Sequence, residues 1–282
     1  MSTTEEKSKL KPLATQIAGH SEEDGGSQNL PGFLSSDDGF VYKPVPGKRG
    51  QNEVDFYESF HTLDPILQSF VPEYKGLTEV NNTRYMGIAN ATHGFKIDEI
   101  SLCDIKIGTK TYGSDASEEK IRLEEAKCAK TTTSSLGIRF CGAKLFDPST
   151  KAIVKLDKDW GKKLKIDNIF DQGIKKFFTH SFDEKISKAI IKEFLVLLNQ
   201  LLDYFKSINR TRGFYSSSLL FVYGIIDKSI QPTPSSIKIV QDHPQYGISL
   251  KMIDFAHVDS IHGKDEGYIF GLENLIEMVN RL

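Results

Sequence analysis

The chain has 282 residues, a formal net charge of −2 at pH 7 and ordinary fractions of apolar and charged residues. This length is sufficient for one large domain or for two lobes with a substantial core. The balanced charge argues against direct nucleic-acid binding, which is typical of strongly basic surfaces. No apolar run approaches the roughly 20 residues of a membrane-spanning helix, so we expect no membrane span.

Residues 1–12 are polar and charged and lack the apolar core of a signal peptide, so we expect a disordered tail there. The three cysteines are odd in number and show no metal-ligand spacing. They are typical of reduced thiols, which predicts a protein of the cytoplasm or the nucleus.

A short strand and a helix carry the first candidate site residues. Ser35–Gly39 is a turn signal before the strand Phe40–Pro44, and the proline ends that strand directly after Lys43. Apolar residues at helical spacing predict a helix over Arg49–Phe60, which carries Glu53. A lone lysine before a proline is more often an ordinary surface residue.

The stretch from Ser101 to Gly113 alternates charged with apolar residues. Alternation at period two predicts a half-buried strand, with Asp104 and Lys106 on one face and the apolar side chains on the other. A carboxylate beside an ammonium keeps both groups ionised, and Gly108 allows a close approach where the strand ends. The pattern is typical either of a solvated ion pair or of a site that activates a hydroxyl against a phosphoryl group.

A polar helix is predicted from Ser117, in the position of an N-cap, to Lys130. Lys120, Lys127 and Lys130 recur close to one face of this helix. Such a helix is usually just solvated, but the same lysines could line a polyphosphate with compact positive charges. Lys144 lies at the far end of the strand that follows.

An apolar strand from Ile248 to Ile253 delivers Asp254 immediately before an aromatic residue. A hard cation such as Mg²⁺ that bridges nucleotide phosphates needs a carboxylate oxygen of this kind. His257 follows closely, although a lone histidine beside a strand is more often packed or capped than functional. The chain contains neither G-x-G-x-x-G nor G-x-x-x-x-G-K-[ST], so a Rossmann dehydrogenase and a P-loop enzyme are unsupported.

Together these segments resemble the inositol polyphosphate kinase family. The D-x-K-x-G run that begins at Asp104 matches the P-x-x-x-D-x-K-x-G signature of that family, with Ile100 in the position of the proline. The sequence around Asp254 matches I-D-F-A-H, and the resemblance extends over Leu13–Ile276. The T-T-T-S and Q-x-A-G-H elements make the chain most similar to the inositol polyphosphate multikinases.

The resemblance implies an α+β, two-lobed inositol polyphosphate kinase fold that is protein-kinase-like, with ATP in the cleft between the lobes. It implies an N-lobe over residues 13–90 and a C-lobe over residues 91–282, with a small helical inositol-phosphate-binding insert at about 114–134. The hinge aligns with Ala89 and Ala91, whose backbone groups would contact the adenine.

The resemblance also implies a role for each candidate residue. Lys43 would hold the phosphates of ATP with Glu53 fixing its position, and Asp254 would hold Mg²⁺. Lys106 and Asp104 are the predicted catalytic residues. Lys106 would bridge the γ-phosphate and the attacking hydroxyl, and Asp104 would either accept the hydroxyl proton or anchor the ribose. The predicted substrate-binding residues are Lys106, Lys120, Lys127, Lys144 and His257.

The predicted function is that of an ATP-dependent multikinase that phosphorylates inositol trisphosphate and tetrakisphosphate to the pentakisphosphate. The alternatives are an inositol hexakisphosphate kinase, an inositol trisphosphate 3-kinase, or a weakly active scaffold that binds inositol phosphates. Ala89, Ile100 and Gly224 depart from the family pattern and favour the scaffold. We expect inositol polyphosphates as partners, a monomer, and a location in the nucleus and cytoplasm.

Overall fold

The computed structural model describes residues 10–13, 31–230 and 237–282. The first nine residues of the expected tail and the Q-x-A-G-H element lie outside the described residues. Helices and antiparallel sheets alternate within the described part, and the two main sheets form two lobes. This is the α+β, two-lobed architecture that the resemblance implied.

The N-lobe contains a five-stranded antiparallel sheet. Its strands are β1 (Lys11–Pro12), β2 (Leu34–Ser35), β3 (Phe40–Pro44), β4 (Tyr74–Val80) and β5 (Thr83–Ala89). They lie in the order β1-β2-β3-β5-β4, so β3 is central. Pro44 closes β3, and Lys43 therefore lies at the end of the central strand.

Lys11 and Pro12 belong to this sheet and not to the disordered tail that the sequence predicted. They pair with Ser35 and Leu34 of β2, and the Leu13 N–H donates to the Phe33 carbonyl at 2.9 Å. Leu13 also packs against the main hydrophobic core. Backbone pairing and this apolar contact order the segment, although its polar composition did not indicate it.

The C-lobe is built on a six-stranded antiparallel sheet, to which a two-stranded ribbon is added. The strands of this lobe are β6 (Phe95–Ile107), β7 (Ile138–Phe146), β8 (Ile153–Leu156), β9 (Arg212–Phe214), β10 (Ser218–Ile226), β11 (Lys238–Ile239), β12 (Tyr246–Ile253) and β13 (Val258–Ser260). The large sheet has the order β11-β12-β10-β6-β7-β8, and β13 pairs with β9. The long strand β6, which carries the D-x-K-x-G run, is therefore central.

Helices cover the sheets. The α-helices of the described residues are α1 (Gly47–Glu58), α2 (Pro65–Phe70), α3 (Glu118–Ala129), α4 (Thr132–Leu136), α5 (Lys158–Lys163), α6 (Lys176–Thr179), α7 (Glu184–Asp203) and α8 (Glu266–Asn280). The side chains of Ser117, Asp183 and Asp265 accept backbone N–H groups and so begin α3, α7 and α8. Across the ranges described, no helix is both long and apolar enough to cross a membrane.

The two faces of β6 have different surroundings. Cys103, Ile105 and Ile107 are fully buried in the main core. Asp104 and Lys106 lie on the opposite face, as period two requires. On the face opposite the main core, β6 therefore presents a carboxyl and an ammonium.

Candidate active site

The lobes meet at an ion-paired cluster of Lys43, Glu53 and Asp254. The Lys43 ammonium lies 2.9 Å from a carboxylate oxygen of Glu53 on α1 and 2.6 Å from Oδ1 of Asp254, which directly follows β12. The side chains of Lys43 and Glu53 are 19% and 6% exposed, whereas that of Asp254 is 44% exposed. The predicted contact between Lys43 and Glu53 is therefore present, and Asp254 is the accessible member of the cluster.

Helix α1 is fastened to the segment that carries Asp254. Glu53 accepts the backbone N–H of Phe255 at 3.3 Å, and the amide of Asn52 donates to the Ala256 carbonyl at 3.2 Å. The ring of Phe56 on α1 stacks on Phe255 with centroids 4.1 Å apart. These contacts fix α1 and the Asp254 segment relative to each other, so Lys43 and Asp254 meet in one geometry.

The backbone of Asp254 is unusual. Its φ angle is +65°, in the left-handed region that residues other than glycine rarely adopt. Aspartate tolerates this region better than most residues, and such conformations concentrate at functional sites because the surroundings must enforce them. The contacts that Glu53 and Asn52 make with the next residues supply that enforcement here.

The opposite charges of this cluster keep Lys43 and Asp254 ionised. Burial would lower the pKa of Lys43, but the charges of Asp254 and Glu53 outweigh burial and raise that pKa. Burial would raise the pKa of Asp254, but Lys43 and Lys106 lower it to about 2. Burial raises the pKa of Glu53, and the charge of Lys43 offsets only part of this rise. An ionised and accessible carboxylate on Asp254 is what a divalent cation requires.

Asp104 has a different environment from the one that its sequence predicted. The residue is 4% exposed, and its Oδ1 has no hydrogen-bond partner among the described residues. Burial and the charge of Asp254 raise the pKa of Asp104 to about 6, although Lys106 and Ser218 act to lower it. The charge of Lys106 therefore does not offset burial, and the pKa of Asp104 stays above its usual carboxylate value.

Lys106 is held by a turn and not by Asp104. Its ammonium donates to the backbone carbonyl of Ser216 and, at 3.0 Å, to the Ser216 hydroxyl. Ser216 has a φ angle of +61°, and its own N–H donates to the Lys110 carbonyl at 3.4 Å. The loop before β10 thus positions the ammonium, which leaves the Asp104 carboxyl available to another group.

The two residues predicted to form the hinge, Ala89 and Ala91, differ in their backbone bonding. The Ala89 N–H donates to the Glu73 carbonyl at 2.9 Å, so this donor is already used within the N-lobe. The N–H of Asn90 donates to the Gly39 carbonyl at the same distance. In the described part of the chain, no hydrogen bond involves the N–H or the carbonyl of Ala91. Ala91 therefore offers a free donor and a free acceptor beside the apolar residues Phe95, Ile100, Leu102 and Val222.

Lys144 lies away from Lys106. It pairs across the strands with Leu102 and is 6% exposed. Its ammonium donates to the Ile97 carbonyl at 2.7 Å, near the beginning of β6. The structure does not bring Lys144 together with the other predicted substrate-binding residues, and its ammonium lies near the beginning of β6.

The opposite end of the cleft contains His257 and Lys120. His257 is 9% exposed, and its backbone carbonyl accepts the Tyr215 N–H at 2.9 Å. Burial lowers the pKa of His257, and the nearby positive charges of Arg49 and Lys120 lower it further. Lys120 thus lies within electrostatic range of His257. Lys127 is 65% exposed and paired with Glu124 at 2.8 Å, so it contributes to the surface of α3.

Sequence reasoning missed several residues at this end. Arg49 at the start of α1 acts electrostatically on both Asp254 and His257 and forms no ion pair within the ranges that the structure describes. Its position beside Lys48, four residues before Glu53, was the available signal. Asp115 and Asp259 also lie beside His257 and offset part of that positive charge. They converge from separate elements, the loop before α3 and strand β13, which left no local signal.

Comparisons with known proteins identify relatives of this chain. A family model described as inositol polyphosphate kinase matches residues 85–280. Mouse inositol hexakisphosphate kinase 3 is 32% identical over 202 residues, which cover 68% of this chain and 49% of the mouse protein. The human protein of the same name is 33% identical over 195 residues, which cover 63% of this chain and 47% of the human protein. The chain therefore spans about half the length of these curated relatives.

Solved structures show a related fold. The inositol phosphate multikinase Ipk2 from S. cerevisiae, in complex with ADP and Mn²⁺, is similar with a TM-score of 0.69 and 25% identity. The match covers 86% of this chain and 98% of the yeast chain. A second inositol phosphate multikinase structure gives a TM-score of 0.64. With the family model matching most of the sequence, the chain belongs to the inositol polyphosphate kinase family.

Proposed function

We propose that this protein transfers the γ-phosphoryl group of ATP to a hydroxyl of an inositol polyphosphate. The observation that carries the proposal is the cluster of Lys43, Glu53 and Asp254 between the lobes, with Asp104 and Lys106 on the facing strand. In kinase-like sites a lysine fixed by a helix glutamate holds nucleotide phosphates, and a nearby aspartate holds the metal ion. Family membership and the similarity to a multikinase that binds ADP and Mn²⁺ support the same reaction.

The residues present fit a divalent cation that is shared with a nucleotide. In the described ranges, no group of three or more histidine, cysteine, aspartate or glutamate side chains could hold a metal by itself. Mg²⁺ in phosphoryl-transfer sites typically takes one or two carboxylates and completes its shell with phosphate oxygens and water. Asp254, ionised and 44% exposed, would supply the carboxylate, and the ion would neutralise charge on the phosphates. We propose Mg²⁺ as the ion in the cell.

The chain's own residues then have distinct tasks. Lys43 would hold the nucleotide phosphates, and the free backbone groups of Ala91 would bind the adenine. Lys106 would leave or share its bonds with Ser216 to contact the transferred group. The unpartnered Oδ1 of Asp104 suits either a base for the attacking hydroxyl or an anchor for the ribose.

For the substrate we propose the inositol tris- and tetrakisphosphates, as in a multikinase. Structural similarity over 98% of the yeast multikinase chain supports this. The hexakisphosphate kinases in the sequence comparison support a second candidate, phosphorylation of the hexakisphosphate. The three free cysteines agree with action in the nucleus and cytoplasm, which we propose together with a monomeric state.

The test incubates the purified protein with Mg-ATP and, separately, inositol 1,4,5-trisphosphate, a tetrakisphosphate and the hexakisphosphate. Products are separated by anion-exchange chromatography. Formation of tetrakis- and pentakisphosphate is expected, and Asp254→Ala should abolish it while the exposed Asp171→Asn should not. If no substrate gains a phosphate, or if transfer survives Asp254→Ala, the proposed function or its metal site is wrong.

A further inference from the structure

The His257 end of the cleft contains two carboxylates that the proposed reaction does not use. A Cβ added to Gly113 would lie 3.2 Å from Oδ1 of Asp115, 3.2 Å from Oδ1 of Asp259 and 3.4 Å from Nδ1 of His257. Asp115 belongs to the loop before α3, whereas Asp259 belongs to β13. Residues more than 140 positions apart in the chain thus converge on one glycine beside the histidine.

Each carboxylate is held in place by the protein. Asp115 forms an ion pair with Lys48 at 2.6 Å, and Asp259 accepts the backbone N–H of Ser114. Asp115 and Asp259 thus offset two of the three positive charges that Lys48, Arg49 and Lys120 bring to this end. Within the described ranges, neither Arg49 nor Lys120 forms an ion pair. This end of the site therefore carries both positive and negative groups and is not a purely basic surface.

We infer that Asp115 and Asp259 determine substrate specificity by favouring inositol phosphates that present a free hydroxyl to them and by disfavouring the hexakisphosphate. This inference rests on the proposed function. A carboxylate accepts a hydrogen bond from a hydroxyl. It repels a phosphate monoester, which carries a charge of roughly −1.5 to −2 at pH 7. A built-in repulsive element of this kind is a general source of discrimination between related ligands.

The two classes of ligand differ in whether they can avoid this repulsion. A hexakisphosphate carries a phosphate on every ring carbon, so no orientation of the ring spares the two carboxylates. A tris- or tetrakisphosphate has free hydroxyls and can turn one of them towards Asp115 and Asp259. Arg49 and Lys120, whose positive charges act on His257, would then attract the phosphates of the same molecule. The buried carboxyl of Asp104, with its unpartnered Oδ1, remains available at the reacting end.

The test uses the full chain and compares the wild type with the double variant Asp115→Asn, Asp259→Asn. Asparagine keeps an oxygen that can accept the Ser114 N–H, so the loop contact is retained while the charge is lost. The double variant Asp167→Asn, Asp171→Asn, at two exposed residues, changes the net charge by the same two units and is the matched control. For each protein, kcat/KM is measured with Mg-ATP for a tetrakisphosphate and for the hexakisphosphate.

The ratio of kcat/KM for the hexakisphosphate to that for the tetrakisphosphate should rise at least about tenfold in the double variant and stay constant in the control. An unchanged ratio in a double variant that still phosphorylates the tetrakisphosphate would overturn the inference. So would a wild type that prefers the hexakisphosphate. If the wild type binds ATP but phosphorylates neither compound, the proposed function itself fails. Should the double variant unfold, Asp115→Asn alone carries the test, because Asp115 is exposed.

Discussion

Gly224 lies directly opposite Ile100 in the pairing of β10 with β6. A Cβ at position 224 would lie 2.4 Å from the Glu99 carbonyl oxygen and 2.8 Å from the Ile100 Cα. Ile100 is fully buried in the apolar cluster beside Ala91. These are the two positions where the chain departs from the family pattern within its sheet, and they contact each other. The departures are therefore one packing arrangement and do not by themselves indicate a lost activity.

Replacement of Gly224 by alanine should destabilise the protein by about 1–3 kcal/mol, because the methyl group has no space against the backbone of β6. Denaturant unfolding monitored by circular dichroism measures this. Gly32→Ala is the matched control, since nothing lies within 4 Å of a Cβ there. The control should change stability by less than about 1 kcal/mol. Equal stability of the two variants would contradict the packing argument.

Local patterns predicted those parts of the site that depend on one element. Period two placed Asp104 and Lys106 on one face of β6, and the resemblance paired Lys43 with Glu53; both arrangements are present. The location of Lys144 was not predictable in the same way. Gly142 lies opposite Asp104 while Phe140 lies opposite Ile105, so the pairing of β7 skips one residue. A bulge of this kind shifts register without changing the alternation that the sequence shows.

Features that depend on contacts between distant parts of the chain could not be predicted from the sequence either. Ser216, which accepts hydrogen bonds from Lys106, has a positive φ angle, which serine seldom adopts and which no local pattern indicated. The burial of Asp104, which raises its pKa to about 6, depends on its surroundings in the folded structure and not on its neighbours in the chain. Asp115 and Asp259 meet because the loop after β6 and the ribbon strand β13 both end beside Gly113.

Glu53→Gln should lower kcat by about 10²-fold, because Lys43 would lose a charged partner and the Phe255 N–H a charged acceptor. Misplacement of a phosphate-binding group by about 1 Å costs a factor of this size. Glu58→Gln, at the exposed end of the same helix, is the matched control and should retain activity. Steady-state kinetics with Mg-ATP measures both. Similar rates for the two variants would remove Glu53 from the site.

The raised pKa of Asp104 should be visible in the stability of the free protein. Its pKa is about 6 in the folded chain against a reference of 3.8, so the folded state binds more protons between these values. The free energy of unfolding of the wild type should therefore fall, relative to Asp104→Asn, as the pH rises from about 4 to about 6. Urea unfolding across this range measures the difference. A difference that does not vary with pH would contradict the assigned burial.

The same carboxyl should affect activity in the opposite direction. If Asp104 acts as the base for the attacking hydroxyl, it must be ionised, so kcat should fall as the pH drops below about 6. Asp104→Asn should abolish this decrease in kcat at low pH, along with most of the activity. A residue that only anchors the ribose would change KM for ATP more than kcat, and this outcome decides between the two roles.

Lys251 connects the C-lobe sheet to the segment that leads back to the hinge. Its side chain, on β12, is buried, and the ammonium donates to the Ser69 carbonyl of α2 at 2.7 Å. Four residues after Ser69, the Glu73 carbonyl accepts the Ala89 N–H. The segment between these two bonds therefore joins the sheet that carries Asp254 to the hinge, and burial lowers the pKa of Lys251 to about 8.

The titration of Lys251 should make the free energy of unfolding rise with pH. Between a pKa of about 8 in the folded chain and 10.5 in the unfolded reference, the unfolded state binds more protons, so a rise in pH favours folding. Lys251→Met removes the titrating group, and the wild type should gain stability relative to it from pH 8 to 10. Urea unfolding of both proteins at several pH values measures the gain. A constant difference would mean that the Lys251 ammonium is solvated and that Ser69 is held by other contacts.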